Sequence, residues 1–144
     1  MQETPTVGTV VELHVPDFGP VREFYTGLGF EVVWERAPEG KKGYLVVQLE
    51  NNVLCFWCGN EYVYEQSYFR KFPESTTRGY GVEVVVMVAD IEHQFGRVSD
   101  EGCVASPLKP RDWGIKDFRV IDPFGYYLRF TEQLDIRDRK YAVE

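Results

Sequence analysis

Several features that would quickly narrow the role of this 144-residue chain are scarce in it. Cysteine is one of them. Three is an odd number and too few for a disulfide framework, so a disulfide-stapled fold is excluded and a reducing cytoplasm is the expected setting. Long apolar runs are missing, none approaching the roughly 18–20 residues that cross a bilayer. The start, Met1-Gln2-Glu3-Thr4-Pro5, has neither the basic nor the apolar part of a secretion signal, and no membrane partner is expected. Positive charge is short as well: 16 Lys and Arg stand against 23 Asp and Glu, a net charge of −7. With a pI near 4.9, the chain repels a phosphate backbone, which argues against nucleic acid and favours a cationic partner. What is abundant is aromatic: ten Phe, nine Tyr and three Trp, 15% of the residues. They sit in a 44% hydrophobic composition that supplies the core of one domain, with aromatic surface to spare.

The chain repeats itself. Residues 9–17 (TVVELHVPD) and 82–90 (VEVVVMVAD) each read as a strand ending in an Asp that can cap a following helix. Helices are predicted over residues 18–28, stopped by Gly29, and 91–101, stopped by Gly102. Asp17 to Asp90 and Gly29 to Gly102 are both 73 residues, so strand, cap, helix and stop recur in register. Three strand-like runs follow each helix: residues 30–35, 43–49 and 52–57, then 103–106, 117–121 and 126–132. Turns are expected at Pro38-Glu39-Gly40, at Glu50-Asn51-Asn52 and at Asp122-Pro123-Phe124-Gly125. The reading is an α+β fold of two βαβββ modules, residues 8–58 and 81–132, in a single domain over residues 1–144. Residues 59–80 link the modules, and residues 133–144 form a charged tail.

Strand alternation sorts two faces. Val11, Leu13, Val15, Val84, Val86, Val88, Leu45, Val47, Leu128 and Phe130 form an apolar set that packs under the helices. The opposite set is mixed and includes Val10, Glu12, His14, Tyr44, Cys55, Trp57, Glu83, Tyr127 and Arg129. Cys55 and Cys58 are three apart in a strand, hence on opposite faces, and form neither a redox nor a metal pair. Each module is too small to bury a core alone. Pairing the modules, or pairing chains, would close the mixed faces into a lined cup.

Val15-Pro16-Asp17, Glu23-Phe24-Tyr25, the run from Gly27 through Leu28-Gly29-Phe30 to Val33, Trp113-Gly114 and Asp122-Pro123-Phe124-Gly125 span nearly the whole chain. In these residues it resembles the vicinal oxygen chelate superfamily, especially its glyoxalase/bleomycin-resistance branch. The resemblance implies paired βαβββ modules forming a cup, commonly in a homodimer. It also implies where the enzymes of the superfamily hold a divalent metal: seven residues before each capping Asp, and seven after the Asp of the late turn. Here those positions are Val10, Glu83 and Arg129, with Cys55 as the fourth. Valine has no lone pair and a guanidinium has no acceptor, so neither ligates a cation. One carboxylate and one thiol suit Mg or Mn poorly. No metal and no cofactor are expected; a cross-strand Glu83–Arg129 ion pair is expected instead. The histidines do not replace the missing ligands, since His14 lies further up its strand and His93 on a helix.

Without the metal, the cup is a binding site. The bleomycin-resistance proteins that this chain resembles are acidic, metal-free dimers that sequester a cationic, aromatic drug between subunits, and an Arg at the place of Arg129 also occurs in that branch. The expected activity is therefore sequestration of a cationic or aromatic small molecule in a cup at a homodimer interface. The expected lining is Tyr44, Trp57, Trp113, Phe118 and Tyr127, whose rings stack on flat ligands, with Trp34 less central. Glu12 and Glu83 are the charge complements, and His14 and Arg129 add polar contacts. The aromatic linker, with Tyr62, Tyr64, Tyr68 and Phe69, could cap the cup. The alternative is a lyase or dioxygenase of the same superfamily with a rearranged metal site.

Overall fold

The computed structural model describes residues 8–36, 43–58 and 65–138. The chain runs β1 (Glu12–His14), α1 (Phe18–Gly27), β2 (Glu31–Arg36), β3 (Tyr44–Leu49), β4 (Asn52–Trp57), β5 (Glu83–Val88), α2 (Ile91–Gly96), β6 (Val104–Pro110), β7 (Lys116–Ile121) and β8 (Tyr127–Glu132). Single 3₁₀ turns lie at Phe69–Lys71 and Glu101–Cys103. Two four-stranded mixed sheets result, ordered β1-β4-β3-β2 and β5-β8-β7-β6. In each, the first strand pairs in parallel with the last and the other pairings are antiparallel. The expected tandem βαβββ order is what the chain adopts.

Helix α1 forms where its sequence marks both ends. The Asp17 carboxylate accepts from Gly19 N at 3.0 Å, and Phe18, Val21 and Tyr25 place one apolar stripe against the core. At the other end Gly29 N bonds Thr26 O and Phe30 N bonds Tyr25 O, both at 3.0 Å, while the Phe30 ring packs edge-on to Tyr25. This double-bonded stop needs a left-handed residue, and Gly29 supplies it with φ +92°. A Cβ there would also strike the Arg97 guanidinium. Gly29→Ala is expected to cost about 1–2 kcal/mol, read as a lower urea midpoint at unchanged slope.

Helix α2 is shorter than the predicted 91–101. Asp90 caps it through His93 N at 3.0 Å, but it ends at Gly96. Glycine is a poor helix former, and downstream Asp100 caps the separate 3₁₀ turn through Gly102 N at 2.9 Å. Gly102 is thus inside a turn and stops no helix. At the other end of the chain, Val10 and Val11 fall outside β1 and are 52% and 39% exposed, so Val11 does not join the core.

The covered sides of both sheets, with α1 and Ile91 of α2, make one continuous cluster that includes Phe18, Tyr25, Phe56, Phe118 and Phe130. Phe30 of the first half reaches Phe130 of the second, with centroids 6.4 Å apart. Side chains tie the halves at their turns. Tyr25 OH donates to Asp122 Oδ2 at 2.8 Å, Gln94 Nε2 to Leu28 O at 2.6 Å and Tyr126 OH to His14 O at 2.6 Å. Asn52 acts as a strand residue would: its amide donates to Met87 O at 2.8 Å and accepts from Met87 N at 3.3 Å, on the outer edge of β5. The halves therefore meet through their covered sides, and each turns its other side outward.

Candidate functional site

The open side of the first sheet is built in rows set by strand register. Glu12, Cys55, Val46 and Trp34 form one row; His14, Trp57, Tyr44 and Arg36 form the next. The faces sort as the alternation predicts, with Leu13, Leu45, Val47, Leu54 and Phe56 on the covered side. Tyr44 OH donates to the exposed Glu12 carboxylate. Burial, then the bond to Glu12, pushes the Tyr44 hydroxyl far above the usual tyrosine range, so it stays a donor. Burial likewise raises the Cys55 thiol, which is therefore protonated at neutral pH. His14 packs edge-on to Trp57 at 4.8 Å, and Arg78 Nε lies 3.5 Å from its Nδ1.

Beside this row opens a cleft of about 650 Å³. His14 and Trp57 line one wall, and Tyr68, Phe69 and Phe72 of the segment between the halves line another, with Tyr126 at the base. Tyr68 and Phe72 are 61% and 46% exposed. This bears on the expected capping by the linker; Tyr62 and Tyr64 lie outside the described residues. Tyr126 faces the core, and burial pushes its hydroxyl up to about 12, whereas Tyr127, one residue on, lies half-buried on the open side.

The second sheet's open side carries charge. The Glu83–Arg129 pair expected from the strand positions is present, Oε1 to Nε at 3.2 Å. It belongs to a larger network. Glu83 Oε2 accepts from Arg119 Nε at 2.9 Å, and the fully buried Asp117 takes Arg111 Nε at 2.5 Å, with Arg119 Nη1 at 3.6 Å. Arg111 also donates to Ser106 Oγ at 2.9 Å. Trp113 sits half-buried in the tight turn closed by Gly114 N to Arg111 O, just before β7.

Two expected site residues do not serve as expected. Phe118 is no lining residue: it is fully buried, stacked on Phe130 at 5.0 Å and 8° and edge-on to Phe95 at 5.0 Å. In the run Asp117-Phe118-Arg119-Val120-Ile121 the apolar positions 118 and 120 alternate with 117 and 119, so period two puts Phe118 under the sheet. The same alternation would have pointed to Asp117 and Arg119, which the sequence reading missed. Glu83 is on the open side, but its two oxygens are engaged by two arginines and it does not stand free as a complement to a cation. The remaining expected residues divide among three places: Glu12, His14, Tyr44 and Trp57 on the first sheet, Tyr127 and Arg129 on the second, and Trp113 in the turn before β7.

The four positions that hold metal in the resembled enzymes do not fit one here. Val10 offers no donor, Cys55 holds its proton, Glu83 faces two guanidiniums and Arg129 is a cation. Among the described residues no group of three or more His, Cys, Asp or Glu is placed to hold a metal ion.

Neither a protein-family model nor a curated protein sequence matches the chain. Solved structures do. TioX from Micromonospora sp. ML1 is similar at 19% identity and TM-score 0.62, over 92% of this chain and 100% of that one. A bleomycin-binding protein in complex with bleomycin is similar at 17% identity and TM-score 0.56, over 90% and 100%. A glyoxalase/bleomycin resistance protein/dioxygenase superfamily member from Sphaerobacter thermophilus is similar at 16% identity and TM-score 0.62, over 88% and 98%. Two tandem βαβββ halves in one core, matched over nearly their full length by such structures, give this chain the glyoxalase/bleomycin-resistance fold.

Proposed function

We propose that the protein binds a planar aromatic small molecule without transforming it, on the open sides of its sheets, in a homodimer. The observation that carries this reading is the cleft beside His14 and Trp57, walled by the exposed rings of Tyr68, Phe69 and Phe72. Aromatic walls around about 650 Å³ suit a drug-sized flat ligand. The outward turn of both open sides favours a second chain as the missing wall. The bleomycin complex of a protein with the same fold supports the ligand class, and the exposed Glu12 carboxylate supplies one complement to a cationic group. The donor set at the four metal positions weighs against the superfamily's metal chemistry.

Thermal denaturation of the purified protein with bleomycin and with proflavine tests this. A rise in melting temperature with ligand excess is expected, because binding to the folded state alone stabilises it. Trp57→Ala should weaken the affinity at least tenfold. A flat response to both compounds, or a Trp57→Ala variant that binds as tightly as the parent, would refute the reading. Stoichiometric, tightly bound Mn, Fe, Ni or Zn in the purified protein would favour the enzyme instead.

A further inference from the structure

Strands β7 and β8 set Arg119 directly across from Arg129, with both side chains on the open side. Like charges in that relation repel, and Glu83 and Asp117 hold them in place. With Arg111 also on Asp117, three guanidiniums meet two carboxylates, and one positive charge is left over. Arg129 is the member least well served. Its Nε is buried and has no hydrogen-bond partner among the described residues, since the 3.2 Å approach of Glu83 Oε1 is poorly directed. Its Nη1 stands 4.0 Å from Asp117 Oδ2, too far for a hydrogen bond. Both arginines retain some exposure, 18% for Arg119 and 21% for Arg129, so an acceptor can reach them from the open side.

We propose that Arg119 and Arg129 form a binding site for the carboxylate of an aromatic acid. A planar pair of oxygens matches the guanidinium fork. A single negative charge balances the one left over, whereas a phosphate monoester would overload the site on a chain already at −7. The ring has a neighbour in Tyr127, one row along the same side, where it pairs with Ile121 and Glu83. This inference rests on the open sides being ligand walls and reverses, for the second sheet, the cationic preference suggested by net charge.

Calorimetric titration with four naphthalene probes separates the possibilities: 1-naphthoate, 1-naphthyl phosphate, 1-naphthylmethylamine and 1-naphthalenemethanol. Naphthoate is expected to bind at least tenfold more tightly than the alcohol, and Arg129→Gln to bring it down to the alcohol's affinity. In the unmodified protein, which avoids any folding defect of the variant, naphthoate should shift the arginine Nε–H resonances of residues 119 and 129. The alcohol should leave them in place. Naphthoate binding no better than the alcohol, an advantage that survives Arg129→Gln, or resonances that do not move would each overturn the proposal while leaving aromatic binding intact. So would tighter binding of the amine or the phosphate. Failure of all four probes with proflavine still bound would overturn this site alone, and their failure together with a flat response to bleomycin and proflavine would overturn the aromatic-binding function itself.

Discussion

Asp122→Ala is expected to lower the free energy of unfolding by about 3–4 kcal/mol, measured by urea denaturation. Asp122 opens the Asp122-Pro123-Phe124-Gly125 turn and is 4% exposed. One oxygen accepts from Phe124 N at 2.8 Å and Tyr126 N at 3.0 Å, holding the turn shut. The other accepts from the fully buried Tyr25 hydroxyl of α1 at 2.8 Å, across the boundary between the halves. Alanine would orphan all three donors, one of them where no water reaches. Asp122→Asn keeps an acceptor and should lose clearly less. The two variants also differ from the parent in pH dependence. Burial raises the Asp122 carboxyl above its ordinary range, more than its hydrogen bonds lower it. The folded protein therefore holds this proton more tightly than the unfolded chain does. The associated stability is fully present below the ordinary Asp value of about 3.9 and is lost as the pH rises through the raised folded value. Across that window the parent should lose stability relative to Asp122→Asn; a difference independent of pH would contradict this assignment.

Phe118→Ala is the second large effect, about 3–5 kcal/mol in the same measurement. The ring lies between Phe95 and Phe130 at centroid distances of 5.0 Å to each, and truncation leaves a cavity among rigid rings that cannot collapse into it. The variant's remaining folded fraction should bind proflavine with parental affinity, because Phe118 touches the covered side alone. Weakened proflavine binding at unchanged stability would return Phe118 to the ligand-facing side. The contrast with Trp57→Ala, for which affinity is the expected loss, separates the two sides of the sheets by experiment.

The tandem architecture was legible because its signals are local. Asp17 and Asp90 announce helix starts by their side-chain oxygens, Gly29 announces a stop by its conformational freedom, and alternation in the strands needs no tertiary knowledge. The shortened second helix was harder to see, because Gly96 and Asp100 compete with a periodic apolar pattern and the balance is settled only in three dimensions. The Glu83–Arg129 pair could be anticipated from strand positions, but Arg119 and Asp117 could not be placed beside it until β7 had a register. Phe118 shows that aromatic character is a weaker guide than period: its alternation with Asp117 and Arg119 already puts it under the sheet. The walls of the cleft contributed by Tyr68, Phe69 and Phe72 come from an irregular segment, which carries no periodicity to read. The contact of Asn52 with Met87 joins positions 35 residues apart through an edge that no sequence pattern marks.

Because the two halves are joined back to back, one polypeptide cannot close its own two walls on a guest. The acidic, ring-bearing wall and the guanidinium wall can face each other only when contributed by separate molecules. On the proposed function, capture would then be a reaction of higher order than one: dilution would loosen the assembly and the grip together, and a guest that bridges both walls would draw its hosts into association. Apparent potency would rise with the amount of protein present, even though no residue in the site had changed.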